Sequence, residues 1–307
     1  MFFSAFRTME TGACFNNENY LHAIFGIIYL LTSLIASTGN GFLLYIVNRD
    51  PLKLFNKPTN VLNIFSALNH FFSGLLVLPI IGINSILTSQ GIASEVAELF
   101  ENVLVSFVAS NESVLLVILF LERYTAFVFP LSNRHYVTIT RAKRICTAST
   151  ITCLLFSCIL FAGISEYVFY LLTLPLFILL PCFLMMVVLA AGFCGLKRRT
   201  QVKPGNTNEL SLNQHKKKRT LQLRKYLNAA TRGTISAILP LIFYCVVKFL
   251  GLSEAGFSTS SCYDLLEHIS FVFLFLSSVA TPVIVFWKIP VYRRSARHLW
   301  QRRKGAS

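Results

Sequence analysis

Seven long, predominantly apolar stretches constrain the fold of this chain more than any other feature of its sequence. They lie at about 21–48, 60–86, 96–121, 143–163, 167–196, 227–250 and 263–287. Each is long enough for the roughly 20 residues that a helix needs to cross a bilayer. Only 13% of all residues are charged, against about 25% in soluble domains. A soluble fold could not bury so much apolar surface, so the sequence predicts an all-α membrane protein, a bundle of seven transmembrane helices.

The charged residues between these stretches indicate how such a bundle is oriented. An odd number of crossings places the two ends of the chain on opposite sides of the membrane. Of the 28 Lys and Arg residues, 26 fall on the side that holds the C-terminus, and nine of the 13 acidic residues fall on the other side. Because basic loops stay in the cytosol, we expect a multi-pass plasma-membrane protein with an extracellular N-terminus and a cytoplasmic C-terminus.

The segments outside the seven stretches are short. Residues 1–20 are predicted to form an extracellular tail, 21–287 the transmembrane domain, and 288–307 a cytoplasmic segment. This last segment mixes seven basic residues with Tyr292, Leu299 and Trp300. The mixture favours a short amphipathic helix that lies in the bilayer interface beside anionic lipid. A disordered basic tail is the alternative.

Short polar and proline motifs occur at particular places within and beside the apolar stretches. In chain order they are Gly39-Asn40, Pro58-Thr59-Asn60, Leu78-Pro79, Glu122-Arg123-Tyr124 followed by Pro130-Leu131, Pro240, Pro282 and Tyr292. Their order and spacing over nearly the whole chain resemble the rhodopsin-like (class A) G-protein-coupled receptors. The resemblance implies a receptor that transmits an extracellular signal to a heterotrimeric G protein, with no enzymatic activity and no cofactor.

The resemblance also implies a conformational switch at the cytoplasmic end of the third span, formed by Glu122, Arg123 and Tyr124. An arginine at a helix end is costly unless it reaches water or a counter-ion. The adjacent Glu122 would supply that counter-ion until a cytosolic partner replaces it. Pro240 and Pro282 interrupt helix hydrogen bonding, so they are candidate pivots between two packings. A snorkelling arginine and static kinks are the alternatives.

Several residues depart from the family pattern. His70 stands where the family has a mid-membrane Asp, and Ile238 stands where many members have a Trp. Thr281 and Val285 replace the family's Asn and Tyr in the seventh span. Glu98 occupies the position of a cysteine that joins the third span to an outer loop. These departures leave open a second interpretation, a protein of the same fold that does not signal, such as a decoy or a dimer partner.

One of these departures is accompanied by a second change nearby. Glu112 lies 11 residues before Arg123, on nearly the same helix face and ~16 Å deeper in the membrane, and His70 lies at a similar depth. In the family these positions flank a sodium ion. We hypothesise that a His70–Glu112 pair replaces the ion, in a polar core with Ser277 and Thr281, and that the histidine's charge biases the protein with pH. A neutral histidine and a protonated glutamate with a structural role are the alternative.

The outer end of the third span provides the candidates for ligand binding. Val105 replaces the Asp of aminergic receptors and Phe275 replaces the retinal Lys of opsins, which argues against both classes. Glu98 and Glu101, together with Glu95, are similar to the outer acids with which melanocortin receptors bind a basic peptide and calcium. The similarity implies an extracellular cationic peptide or small molecule as the ligand. A solvated acidic rim at a helix N-terminus is the alternative.

Cysteine and histidine usage argues against a metal enzyme. The eight cysteines form no CxxC pair, and Cys14 and Cys262, the two placed outside, are candidates for a disulfide. The six histidines are dispersed in the sequence, with only His70 predicted deep in the membrane, whereas a metal hydrolase needs clustered ligands. Transporters commonly contain internal repeats, and none is found in this sequence. An enzyme or transporter is therefore the least favoured interpretation, and we expect no metal and no nucleic acid as partners.

Overall fold

A computed structural model describes residues 18–49, 55, 58–92, 94–128, 137–200, 238–252, 261–288 and 290–304. The secondary structure within these ranges is helical, and no strand occurs in them. We number the helices in chain order as α1 (Glu18–Arg49), α2 (Pro58–Ser89), α3 (Glu95–Val128), α4 (Ile139–Ala162), α5 (166–200), α6 (Ile238–Leu252), α7 (Ser261–Lys288) and α8 (Pro290–Lys304).

Six of these helices, α1 to α5 and α7, are long and apolar enough to cross a membrane. They coincide with six of the predicted apolar stretches, which confirms the prediction of a helical, multi-pass membrane protein. The sixth stretch is described only from residue 238, where α6 is a shorter apolar helix. A helix also follows α7, as predicted, but a count of seven crossings and an interfacial position for α8 stay predictions.

Two of the long helices are irregular where prolines interrupt their hydrogen bonding. In α2 a π-helical segment at Ser73–Val77 ends directly before Leu78-Pro79, and in α5 a π-helical segment at Leu174–Leu179 includes Pro175. Proline lacks the N–H that the regular helix needs, so a locally wider turn is a common accommodation. The helices continue beyond these segments, so both remain long enough to span a bilayer.

Helix α3 lies at the centre of the bundle. Of its most apolar window 72% is buried, against 22–39% in the other five long helices. It packs against α2, α4 and α5, whereas α1 packs against α2 and α7. The α1–α2 contact is close because Gly26 faces Gly82, and a Cβ at Gly26 would lie 2.8 Å from the Gly82 carbonyl oxygen. The apolar side chains on the outer surface face the region that lipid would occupy.

The two ends of the bundle differ in charge. We call the end that holds Glu98, Glu101 and Glu267 the acidic end, and the opposite end, where α3 finishes and α8 begins, the basic end. At the basic end, Tyr292 of α8 is fully buried, with its ring centroid 4.8 Å from that of Phe55. Burial raises the pKa of Tyr292 to about 12, so this hydroxyl stays neutral at physiological pH while its ring holds α8 against the bundle.

Candidate functional site

A cavity of about 270 Å³ opens at the acidic end, between the ends of α1, α2, α3 and α7. Its lining is polar, with carboxylates from α3 and α7 and imidazoles from α1 and α7. The lining residues are His22, Asn84, Ser85, Thr88, Ser94, Glu98, Glu101, Asn102, Asp264, Glu267, His268 and Phe271. An acidic cavity of this kind suits a cationic group.

Both glutamates that the sequence analysis assigned to ligand binding line this cavity, but the third candidate does not. Glu98 is exposed at its rim, and Glu101 lies deeper, where its Oε2 accepts a hydrogen bond of 2.9 Å from Asn84 Nδ2. Val105 is buried in the hydrophobic core among residues of neighbouring helices. It lies one turn below Glu101 on nearly the same face of α3, and its assignment to the ligand side stays a prediction.

A buried lysine stands beside the cavity and was not anticipated as a site residue. Lys248 of α6 is only 6% exposed. Its Nζ forms an ion pair and a hydrogen bond with Glu267 Oε1 of α7. It also lies 5.0 Å from the centre of the Tyr170 ring and 5.5 Å from that of Phe271, both within cation–π range. One cavity carboxylate is thus neutralised by a fixed protein cation.

A polar cluster joins α3 to the start of α5 at the same end. Asn102 Nδ2 donates to Glu166 Oε1 at 2.8 Å, and the Tyr170 hydroxyl donates to Asn102 Oδ1 at 3.0 Å. Both helices are therefore fixed to each other by a side-chain amide.

Two of the histidines that are dispersed in the sequence meet in the fold. His268 Nε2 of α7 lies 3.0 Å from His22 Nδ1 of α1. Nδ1 of His268 lies 3.0 Å from the Tyr29 hydroxyl, which itself donates to the His268 carbonyl oxygen at 3.1 Å. The two residues are 246 positions apart in the sequence, so no local pattern could have brought them together. Their contact joins α1 to α7 beside the cavity.

The polar core predicted in the middle of the bundle contains the expected pair. His70 Nε2 lies 3.2 Å from Glu112 Oε2, and the two residues are only 1% and 8% exposed. Neither imidazole nitrogen of His70 has a hydrogen-bond partner among the described residues. The two side chains thus lie close together as expected, while the idea that they replace an ion stays a prediction.

Three further polar residues extend this pair across the bundle to α4. Asn69 Nδ2 donates to Glu112 Oε2 at 3.2 Å, and Asn111 Nδ2 donates to Asn69 Oδ1 at 2.9 Å. Thr150 of α4 donates to Asn111 Oδ1 at 3.1 Å. The sequence analysis missed these residues, although Asn69 and Asn111 each precede a predicted core residue, and two adjacent polar residues at mid-membrane depth are themselves a detectable signal.

The two hydroxyl residues predicted to complete the polar core are not joined to it in the described part of the chain. Ser277 donates to the Leu274 carbonyl oxygen at 3.0 Å, and Thr281 donates to the Ser277 carbonyl oxygen at 2.7 Å. Serine and threonine in helices commonly bond to the carbonyl three or four residues earlier, and this local alternative prevails here. Helix α7 is connected to α1 instead, through Asn40 Nδ2, which donates to the Ser278 carbonyl oxygen at 2.8 Å.

The basic end contains the Glu122-Arg123-Tyr124 motif in the last turns of α3. Glu122 is buried, and its Oε1 accepts a hydrogen bond of 2.8 Å from the Thr59 hydroxyl in the first turn of α2. Tyr124 is half-buried. The Arg123 side chain lies outside the described residues, so its pairing with Glu122 stays a prediction. The contact with Thr59 joins the motif to the Pro58-Thr59-Asn60 turn at the start of α2.

Of the remaining predicted residues, both prolines lie within helices. Pro282 is buried inside α7, and Pro240 lies near the first described residues of α6; their use as pivots stays a prediction. Cys262 is disulfide-bonded. Its predicted partner, Cys14, lies outside the described residues. Six other cysteines are free.

No cluster of three or more His, Cys, Asp or Glu side chains that could hold a metal occurs in the described ranges. Compared with known proteins, the chain matches no protein-family model and no curated protein sequence. Its function must therefore be argued from its own residues.

Proposed function

We propose that this protein is a G-protein-coupled receptor of the rhodopsin-like class, which transmits the binding of an extracellular cationic ligand to a heterotrimeric G protein. The proposal includes seven membrane crossings and an extracellular N-terminus in the plasma membrane. It also assigns α8 to the cytoplasmic interface as the eighth helix. The charge asymmetry between the two ends supports this orientation.

The observation on which the proposal rests is the order of polar residues along α3. This helix contributes Glu98 and Glu101 to the cavity, Glu112 to the buried polar core, and Glu122 to the contact with α2 at the basic end. From Glu98 to Arg123 it rises ~38 Å, more than the ~30 Å of hydrocarbon in a bilayer. A single central helix therefore joins a cavity on one side of the membrane to the proposed switch on the other.

The composition of the cavity supports a cationic ligand. Glu98, Glu101, Asp264 and Glu267 line it, and Lys248 is paired with only one of these acids. Its 270 Å³ lies just below the range of about 300–1,000 Å³ typical of small-molecule sites. A small amine, or one basic side chain of a peptide, fits a space of this size and charge.

A protein of the same fold that does not signal is the second candidate function. It is supported by the residues that replace family positions in the sixth and seventh spans, Ile238, Thr281 and Val285. Ile238 is buried in the hydrophobic core, and Thr281 bonds to its own helix. In this alternative the protein would bind a ligand or a second receptor without activating a G protein.

A nucleotide-exchange experiment distinguishes the two functions. Cell membranes containing the full-length protein are combined with a panel of G proteins, and exchange is measured without ligand and with basic peptides and amines. We expect exchange above that of empty membranes, and its loss in R123A. The matched control is R144A, an exposed arginine on α4. Equal exchange in wild type and R123A, at equal surface expression, would favour the non-signalling function.

A further inference from the structure

An apolar groove of about 730 Å³ runs along the outside of the bundle between α1 and α7 and ends at the first turns of α8. We call it the α1–α7 groove. On α1 it is lined by Ile35, Thr38, Gly39 and Phe42, whose i, i+3, i+4, i+7 spacing defines one helix face. That face extends ~10 Å along the axis. Ile35 and Phe42 are 53% and 51% exposed, so this face of α1 points toward the membrane.

The opposite wall is built in the same way from α7. Val279, Pro282, Val283 and Phe286 repeat the same spacing. The two walls meet where Gly39 contacts Pro282, since a Cβ at Gly39 would lie 2.9 Å from Pro282 Cγ. The missing side chain at Gly39 therefore lets Pro282 approach at the floor. One turn closer to α8, Phe42 and Phe286 stack across the groove with ring centroids 5.5 Å apart. The result is a shallow, open apolar channel that this aromatic pair bridges before α8.

Two cations stand at the end of this channel. Arg293 and Arg297 of α8 both line the groove, and residues four positions apart lie on the same helix face, about 5–6 Å from each other. Both are exposed, and no ion pair to either is found within the ranges that the structure describes. None of the lining residues is acidic. An apolar channel that ends at two such guanidinium groups is complementary to a molecule with an anionic head and a hydrocarbon tail.

We propose that the α1–α7 groove binds one anionic glycerophospholipid, with its phosphate on Arg293 and Arg297 and one acyl chain lying over the Phe42–Phe286 stack along the outer surface of α1 and α7. The planar guanidinium group matches the geometry of a phosphate and donates two parallel hydrogen bonds to it. A basic protein surface next to a bilayer also attracts anionic lipid. This inference requires only that the helices are embedded in a membrane, so it goes beyond the proposed signalling function and does not depend on it.

Charge and shape together favour this occupant over others. A sterol fits an apolar channel, but its single hydroxyl would leave both guanidinium groups without an anion. A free phosphate would bind the arginines and leave the apolar walls exposed. A phospholipid with a net negative charge occupies both parts of the site at once.

The experiment measures lipid retention by native mass spectrometry of the full-length protein released from detergent micelles. The protein is titrated with dioleoylphosphatidylglycerol, dioleoylphosphatidylcholine or cholesterol, and in a separate arm with glycerol phosphate, which has the anion without the chains. We expect one phosphatidylglycerol to be retained with an affinity at least about tenfold higher than that of phosphatidylcholine. Glycerol phosphate should not displace it.

Three variants locate the lipid. R293Q/R297Q should lower the affinity for phosphatidylglycerol about thirtyfold, the product of about fivefold for each basic residue at the membrane surface. The matched control, R144Q/R294Q, removes two exposed arginines that do not line the groove, and we expect it to stay within about threefold of wild type. Val283 is 61% exposed, so V283W should fold, fill the groove and weaken retention although both arginines remain.

Each other outcome would overturn the proposal. An equal loss of affinity for phosphatidylglycerol in R293Q/R297Q and R144Q/R294Q would indicate that the lipid is attracted to the basic surface in general. Displacement by glycerol phosphate would indicate a site for a free anion, and preferential retention of cholesterol a sterol site. Unchanged retention of phosphatidylglycerol in V283W would mean that the acyl chain lies outside the groove.

If the double variant is not recovered folded, the single variants R293Q and R297Q make the same test. Each is expected to lose about fivefold in affinity for phosphatidylglycerol. Because no G protein is present, failure here leaves the proposed receptor function unaffected, and the reverse also holds.

Discussion

Among the described residues, two acid–base pairs join neighbouring helices in this bundle, one of them fully buried and the other with a buried lysine and a half-buried glutamate, and they differ in chemistry. Lys248–Glu267 links α6 to α7 beside the acidic cavity, with aromatic rings around the cation. His70–Glu112 links α2 to α3 in the middle of the bundle, with an asparagine amide beside the carboxylate. Lysine in water keeps its proton to above pH 10, whereas histidine loses its proton near neutral pH.

Burial alone does not determine how much an acid–base pair stabilises the fold. In the first pair, losing one partner leaves a charge that can be neutralised only at a large free-energy cost. In the second, each side chain also has a neutral form, and Asn69 still bonds to the Glu112 carboxyl group. We therefore interpret Lys248–Glu267 as a fixed structural contact at the wall of the ligand cavity, and we expect the loss of one partner to destabilise the fold less at His70–Glu112.

The largest effect is expected from E267Q. Breaking a buried ion pair by removing one partner costs about 3–5 kcal/mol, because the other charge is left uncompensated. We expect the free energy of unfolding, measured in mixed micelles, to fall by this amount. E98Q is the matched control, since Glu98 is an exposed carboxylate of the same cavity, and it should change stability by less than about 0.5 kcal/mol. Equal effects of the two variants would contradict the assignment of Lys248–Glu267 as a structural contact.

A smaller effect is expected from H70L. The carboxylate of Glu112 would keep its hydrogen bond from Asn69 and could take up a proton, so we expect a loss of about 1–3 kcal/mol, the range for one unsatisfied buried polar group. The double variant H70L/E112L should recover most of this loss, because it removes both polar partners. A loss from H70L as large as that from E267Q would mean that this pair is as strongly charged as the lysine pair.

Sodium provides a sharper test of the same pair. In H70D, two carboxylates would face each other at the position where we hypothesise that a histidine replaces an ion. We expect sodium to stabilise H70D by about 1.4 kcal/mol at ten times its dissociation constant, measured as a shift in Tm, with choline chloride as the ionic-strength control. The wild-type Tm should not depend on sodium. Specific sodium stabilisation of the wild type would refute the replacement hypothesis.

The smallest effect is expected from T150V, at the far end of the polar network. This change removes one neutral hydrogen bond to Asn111, which contributes about 0.5–1.5 kcal/mol. T152V is the control, since Thr152 is exposed and bonds to the Ala148 carbonyl of its own helix. If both variants have the same stability, Thr150 does not connect α4 to the polar core in any energetically significant way.

Part of the candidate site could be predicted from the sequence because it lies on single helices. Glu98, Glu101, Glu112 and Glu122 all belong to α3, and the helix period alone fixed their relative depth and direction. His70 could be matched to Glu112 because both were placed at similar depth. Ser277 and Thr281 could not be excluded in the same way, since a hydroxyl can always bond to its own helix instead.

Other parts of the site could not be predicted, because they depend on which helices are neighbours. Lys248 meets Glu267, and His22 meets His268, only when α6, α7 and α1 stand side by side in particular rotations. Val105 is buried in the core, and its assignment to the ligand side stays a prediction. No local pattern in the sequence shows which residues of different helices will meet.

The sequence by itself determined that this is a helical membrane protein. Apolar stretches of twenty or more residues have one stable arrangement in hydrocarbon, since only a helix satisfies every backbone hydrogen bond within its own segment. The tertiary structure alone decided which polar side chains meet. The helix period fixes the face on which a residue lies, but the packing of ridges into grooves between helices decides which neighbour that face contacts. The acidic cavity, the histidine contact and the α1–α7 groove all result from this packing between helices.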